Sequence, residues 1–196
     1  MHADLTRDVF TGARASEKAV KTARLSEYRV IAFATHGLVP GELDGLTQPA
    51  LALSAPTAAD QDDDGLLTME EILALRLDAD WVVLSACNTA SGQGAGSEAI
   101  SGLGRAFFYA GARALLVSNW PVETTSAKLL TTDLFRRQTA DARLSRARAL
   151  QQTMATLIDE AVYRQPRTGE VAFSYAHPLF WAPFTLIGDG AGGAGR

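Results

Sequence analysis

Four short apolar runs punctuate the chain: Tyr28-Arg29-Val30-Ile31-Ala32-Phe33-Ala34, Trp81-Val82-Val83-Leu84-Ser85, Ala114-Leu115-Leu116-Val117-Ser118 and Phe184-Thr185-Leu186-Ile187. Each has strand length and runs into a polar or glycine-containing turn. Because the runs do not alternate with polar residues, they predict strands buried on both faces of a largely parallel sheet, side by side. Between them, apolar residues recur at helical spacing over residues 15–25, 69–77, 98–110, 124–137 and 143–163. Ser97 before the third of these and Gly111 after it are N-cap and C′ residue types. Gly102 and Gly104 lie inside it, where glycine costs about 1 kcal/mol, so they predict close packing of that helix. Arg136, Arg137, Arg143, Arg146 and Arg148 on the last two helices read as a solvated face, with a binding patch as the alternative. Strands alternating with helices predict an α/β fold.

The 196 residues suit one domain, and a formal net charge of -4 provides no positive field to hold nucleic acid or an anionic membrane, so neither is an expected partner. No apolar run approaches the roughly 18 residues of a membrane span, and the N-terminus lacks the apolar core of a signal peptide. A single cysteine excludes intramolecular disulfides, and the few Cys and His residues do not build a zinc centre, so no metal and no cofactor is expected. A reducing cytoplasm is the expected setting. The stretch from Gly188 to Arg196 reads as a disordered tail or a linker.

Candidate chemistry concentrates at two strand ends. In an open parallel sheet the reacting groups gather outside the carboxyl ends of the strands. The first run leads into Thr35-His36-Gly37 and the second into Ala86-Cys87-Asn88, which would put imidazole and thiol on one rim. A free thiol, with a pKa near 8.5, is only a few per cent thiolate at neutral pH, so an adjacent histidine is needed to take its proton and to return one to the leaving amine. Backbone N–H groups of Gly37 and Cys87 are candidates for holding the oxyanion, and Gly37 has no Cβ to obstruct substrate. His36 precedes Cys87 by 51 residues, close to the spacing of caspase histidine and cysteine. A buried structural cysteine and a histidine capping a strand end remain the alternative. His2, in the terminus, and His177, before Pro178, compete poorly.

In this order, Ala34-Thr35-His36-Gly37, Leu84-Ser85-Ala86-Cys87, Phe107-Phe108-Tyr109-Ala110-Gly111-Ala112, Ser118-Asn119-Trp120-Pro121-Val122 and His177-Pro178 with Trp181 to Asp189 resemble the CHAT family. These are caspase-like domains usually found C-terminal to tetratricopeptide repeats. The resemblance covers residues 8–189 and leaves 190–196 as a Gly-rich tail. It implies a three-layer α-β-α caspase-haemoglobinase sandwich around a mostly parallel sheet. It also implies a catalytic dyad of His36 and Cys87 and cleavage of protein or peptide substrates, often in bacterial defence or regulated cell death. The family's first strand is missing here, so residues 8–12, which would be the second, are expected to be displaced or unpaired. Asn88 and Asn119 stand where the family more often has an acidic residue and a leucine. A tetratricopeptide-repeat regulatory segment is expected either elsewhere in a longer protein or on a separate chain. Trp120 and Asp44 are candidates for lining the substrate pocket, against a core aromatic and a solvated turn residue. Gly92, Gly94 and Gly96 make either a loop that orders on activation or a plain connection. The alternative function is a catalytically inactive caspase-like module that binds a partner.

One further motif stands apart. From Asp60 to Glu71 the sequence satisfies the calcium-loop formula D-x-D-x-D-G-x5-E, yet Thr68 to Glu71 also fits a capping box opening a helix, and no helix is predicted ahead of it. A cysteine phosphatase would need an arginine six residues past the nucleophile, where Gln93 stands, and no G-x-S-x-G elbow supports a serine hydrolase.

Overall fold

A computed structural model describes residues 4, 6–56, 63–85 and 95–192, the stretch 95–101 by its backbone alone. Cys87, His2, Asn88, Gly92, Gly94 and the residues from Asp60 to Asp62 lie outside the described residues. The four apolar runs form one sheet. Its strands β1 (Val30–Phe33), β5 (Trp81–Leu84), β6 (Ala114–Ser118) and β9 (Phe184–Gly188) lie in that order, the first three parallel and β9 antiparallel to β6. A second sheet of three short antiparallel strands, β2 (His36–Leu38), β3 (Ala50–Ala52) and β4 (Leu66–Thr68), stands beside it. A hairpin of β7 (Val162–Arg164) and β8 (Val171–Ser174) forms a third, two-stranded sheet.

The non-alternating runs have a direct physical cause. On β5 and β6, Val82, Leu84, Leu115 and Val117 face one core while Trp81, Val83, Ala114 and Leu116 face the other. Every residue of both strands is buried. The first core is closed by Leu51 and Leu67 of the small sheet, Ile72 of α2 (Met69–Ala74), and Leu103 and Phe107 of α3 (Ala95–Ala110). The second is closed by Leu130 and Leu134 of α4 (Thr124–Ala140) and Leu150 and Leu157 of α5 (Arg146–Asp159). Together these make a three-layer α-β-α sandwich around a mostly parallel sheet. A short α1 (Glu17–Thr22) precedes β1, and α6 (Pro178–Trp181), capped by the His177 ring accepting from the Leu179 amide at 3.1 Å, precedes β9.

Several boundaries differ from expectation. Ser97 is the third residue of α3 rather than its cap, because Ala95 and Gly96 already have helical backbone. Gly111 does close that helix, with φ +116°; a Cβ there would stand 2.2 Å from the Leu77 carbonyl oxygen. Close packing accounts for Gly104, whose missing Cβ would lie 3.3 Å from Leu115, and for Gly102, which faces Met69 and Pro49. The segment expected to be helical to residue 163 stops at Asp159, since Val162 and Tyr163 pair with β8 and Tyr163 stacks on Phe173 at 5.0 Å. Residues 8–12 join no sheet: a turn ends at Asp8, a 3-10 turn begins at Gly12, and the stretch between is unpaired.

The glycine-rich end also departs from a plain tail. Gly188 belongs to β9, and the carbonyls of Gly190 and Gly192 accept from the first amides of α5, Ala147 at 3.0 Å and Arg146 at 3.2 Å. Residues 193–196 are outside the described residues. The solvated arginine face needs correcting too. Arg146 is 1% exposed, bonded to Asp80 at 2.9 Å and Asp189 at 3.0 Å, because the chain brings two carboxylates to the start of α5. Arg137 is part-buried, bonded to Asp133 and Thr156.

Candidate active site

The site is built on the paired ends of β1 and β5. Phe33 is opposite Leu84, and the Ser85 amide donates to the Phe33 carbonyl at 3.1 Å, so the two chains leave the sheet together. His36 follows Phe33 by three residues and Cys87 follows Leu84 by three. His36 stands past the end of β1, where the sequence reading put it, and there it begins a further strand. It opens β2, opposite Ala52, with its side chain exposed, and the neighbouring Thr35 hydroxyl donates to the Ala52 carbonyl. The small antiparallel sheet therefore holds the imidazole beyond the carboxyl edge of the main one.

That sheet also sets the Gly37 amide. The Leu53 amide bonds the Gly65 carbonyl and the Met69 amide bonds that of Pro49, so the odd-numbered residues of β3 pair with β4. Alternation of antiparallel hydrogen bonding then gives Ala50 and Ala52 to β2, where they meet Leu38 and His36. Gly37, opposite Leu51, is left as the non-bonded pair. Its N–H points away from β3 and has no partner among the described residues, although the residue is buried. Unpaired amides in buried residues are rare.

Around this edge, Trp120 follows β6 and is half-buried, with an indole N–H that is buried and makes no hydrogen bond among the described residues. The adjacent Asn119 is fixed by its amide to the Pro183 carbonyl at 2.8 Å and its side chain to the Thr185 hydroxyl at 2.7 Å. Asp44 is exposed in the loop between β2 and β3, which closes on itself through Gly41 and Leu46. Among the described residues Asp44 makes no hydrogen bond or ion pair with His36 or Trp120. The β2–β4 sheet that carries His36 was not legible, since three-residue strands offer no periodicity.

The calcium-like stretch is organised by other means. Glu17, 1% exposed, accepts from the amides of Asp64 at 2.9 Å and Gly65 at 3.1 Å. Burial pushes its carboxyl up despite the Lys21 ammonium beside it. Glu71, which would supply the twelfth-position ligand, is engaged on both oxygens: one meets Lys21 at 2.6 Å and the other closes the Thr68 capping box. Burial would raise that carboxyl too, but Lys21 and Thr68 hold it down at about 2. No helix enters the loop at residues 53–56. Among the described residues no group of three or more His, Cys, Asp or Glu could hold a metal ion, and no helix is long and apolar enough to cross a membrane.

Comparison with known proteins adds two findings. Residues 1–189 match the family model described as CHAT domain. A mouse (Mus musculus) protein, "Tetratricopeptide repeat protein 28", is 32% identical over 128 residues, 63% of this chain. The chain spans about 4% of the length of that relative.

Proposed function

Because the chain belongs to the CHAT-domain family, we propose that it is a caspase-like cysteine endopeptidase that cleaves protein substrates with Cys87 as nucleophile and His36 as acid–base partner. The observation that carries this reading is the register of β1 and β5, from which His36 and Cys87 each follow at the same distance along the chain. Three residues span at most about 10 Å, and paired strands lie about 4.8 Å apart, so the spacing lets thiol and imidazole reach one scissile carbonyl.

In this mechanism His36 takes the thiol proton, and Sγ bonds to the carbonyl carbon while the π electrons move to its oxygen. The Gly37 N–H, directed away from β3, donates to that oxyanion together with the Cys87 amide. Collapse expels the amine, which takes the proton from His36. Water deprotonated by the same imidazole then hydrolyses the thioester. Trp120 lines the substrate pocket with its half-buried ring, and Asp44 adds negative charge to the loop after β2. A tetratricopeptide-repeat segment controls access, and a reducing cytoplasm keeps the single thiol free.

The test is labelling by an electrophilic peptide, with mapping of new protein N-termini in a cell extract. Cys87→Ala is expected to abolish both signals, and His36→Ala to slow cleavage by at least about 1,000-fold with melting unchanged. Cleavage that persists in either variant overturns the mechanism. Failure of Cys87 to react in the presence of its repeat segment leaves the inactive interaction module as the better reading.

A further inference from the structure

Where His36 stands depends on what orients the small sheet that carries it. No strand pairing joins β2–β4 to the main sheet among the described residues. Leu51 and Leu67 of the small sheet share the first core with Phe33 and Leu103. Apolar burial of this kind holds the sheet down, but it is not directional. The line along which His36 and Gly37 point needs polar contacts as well.

Those contacts come from α1. Its first residue, Glu17, is 1% exposed. One carboxylate oxygen accepts from the amides of Asp64 at 2.9 Å and Gly65 at 3.1 Å, in the turn that leads into β4. The other meets the Lys21 ammonium one helical turn along, and that ammonium also meets Glu71 of α2 at 2.6 Å. The turn itself is tight. Gly65 has φ +83°, a Cβ there would stand 3.1 Å from the Ala55 Cα, and the Gly65 carbonyl accepts from Leu53, just past β3, at 2.7 Å. Ser54 is tied to the same region, its amide to the Ala15 carbonyl at 2.9 Å and its hydroxyl to the Gly12 carbonyl at 2.6 Å. The segment around α1 therefore grips the exit of β3 and the entry of β4 together, and β3 carries β2 through the pairs His36–Ala52 and Gly37–Leu51.

Burial works against the charge of Glu17, and buried ionic groups are often no more stabilising than apolar ones of similar volume. What a carboxylate supplies and an apolar side chain does not is a fixed acceptor for two turn amides. We propose that Glu17, held by Lys21, is a positioning residue for His36 and the Gly37 amide, acting through β4 and β3 on the orientation of β2. Its service to catalysis rests on the peptidase reading of His36; its effect on where the imidazole stands does not.

The test is NMR spectroscopy of the whole 196-residue chain at a temperature where every variant is folded, following the His36 ring and the Gly37 amide. In Glu17→Ala both signals are expected to move further than the amides of β5 and β6. In Glu17→Gln, which keeps an acceptor oxygen, they return more than halfway. Against a peptide substrate, Glu17→Ala lowers kcat by at least about tenfold at unchanged KM, and Glu17→Gln recovers most of the loss. Lys21→Gln, at a side chain 29% exposed, moves the same signals less far and serves where Glu17→Ala does not fold. Signals that coincide with the wild type in every variant while melting falls show that Glu17 only stabilises the fold, and they overturn the proposal. So does a glutamine variant that behaves as the alanine one. A wild-type chain that cleaves nothing removes the peptidase reading and leaves the NMR test standing, whereas full cleavage by Glu17→Ala removes the positioning role alone.

Discussion

A single side chain, Arg146, illustrates how far one residue can depart from what its neighbours along the sequence suggest. It opens α5, where the helix dipole disfavours a cation, yet it is 1% exposed. Its guanidinium spans Asp80 at 2.9 Å and Asp189 at 3.0 Å and lies 5.9 Å from the Trp81 ring. Arg29 also reaches Asp80, at 2.6 Å. Removing Arg146 leaves Asp80 partly paired, so Arg146→Ala is expected to cost about 3 kcal/mol, at the low end for breaking a buried pair. At roughly 2–4 °C per kcal/mol for a chain of this size, melting should fall by about 6–12 °C. Arg146→Lys should recover less than half of that, since one ammonium does not span two carboxylates as a planar fork does. A lysine variant that melts with the wild type would show that charge alone matters. Nothing in the sequence separates Arg146 from its exposed neighbours Arg143 and Arg148, because the two carboxylates it meets are 66 and 43 positions away.

Helices α4 and α5 are joined by a polar network laid over their apolar contact. Asp133 bonds Arg137 at 2.5 Å and accepts from the Thr153 hydroxyl at 3.1 Å, while Arg137 donates to Thr156 at 2.8 Å. Burial alone would raise the Asp133 carboxyl, but Arg137 and then Arg136 outweigh it and hold it below its ordinary value. A carboxyl depressed in the folded state contributes stability above its unfolded value near 3.9, and that stability is lost as pH falls below it. Asp133→Asn is therefore expected to cost about 2 kcal/mol at pH 6 and to lose less than the wild type when both are melted at pH 3. Equal losses on acidification would exclude this network as a source. At this scale the long helices and the four main strands were legible, since each carries enough residues to show its period. The three-residue strands β2, β3, β4 and β7 were not, because they are too short to show a period and form only through their partners, as His36 does with Ala52.

Across the molecule, stability follows the layering. The central strands β5 and β6 are buried along their whole length, whereas every residue of β7 and β8 is exposed. Amide exchange should accordingly be slowest in β5 and β6 and among the fastest of all strands in β7 and β8; equal protection in the hairpin would mean that something covers it. Sequence reasoning reached the sheet, its mostly parallel sense and His36 at a strand end. It did not reach the second sheet that positions His36, because that depends on which strands become neighbours in space. The glycine-rich end carries a practical consequence. A recombinant version shortened to Asp189, where the family match stops, would lose the carbonyls of Gly190 and Gly192 that receive the opening amides of α5. The cut would fray the first turn of that helix and loosen the Arg146 anchor, so a melting curve recorded on the trimmed polypeptide would understate the robustness of the whole domain.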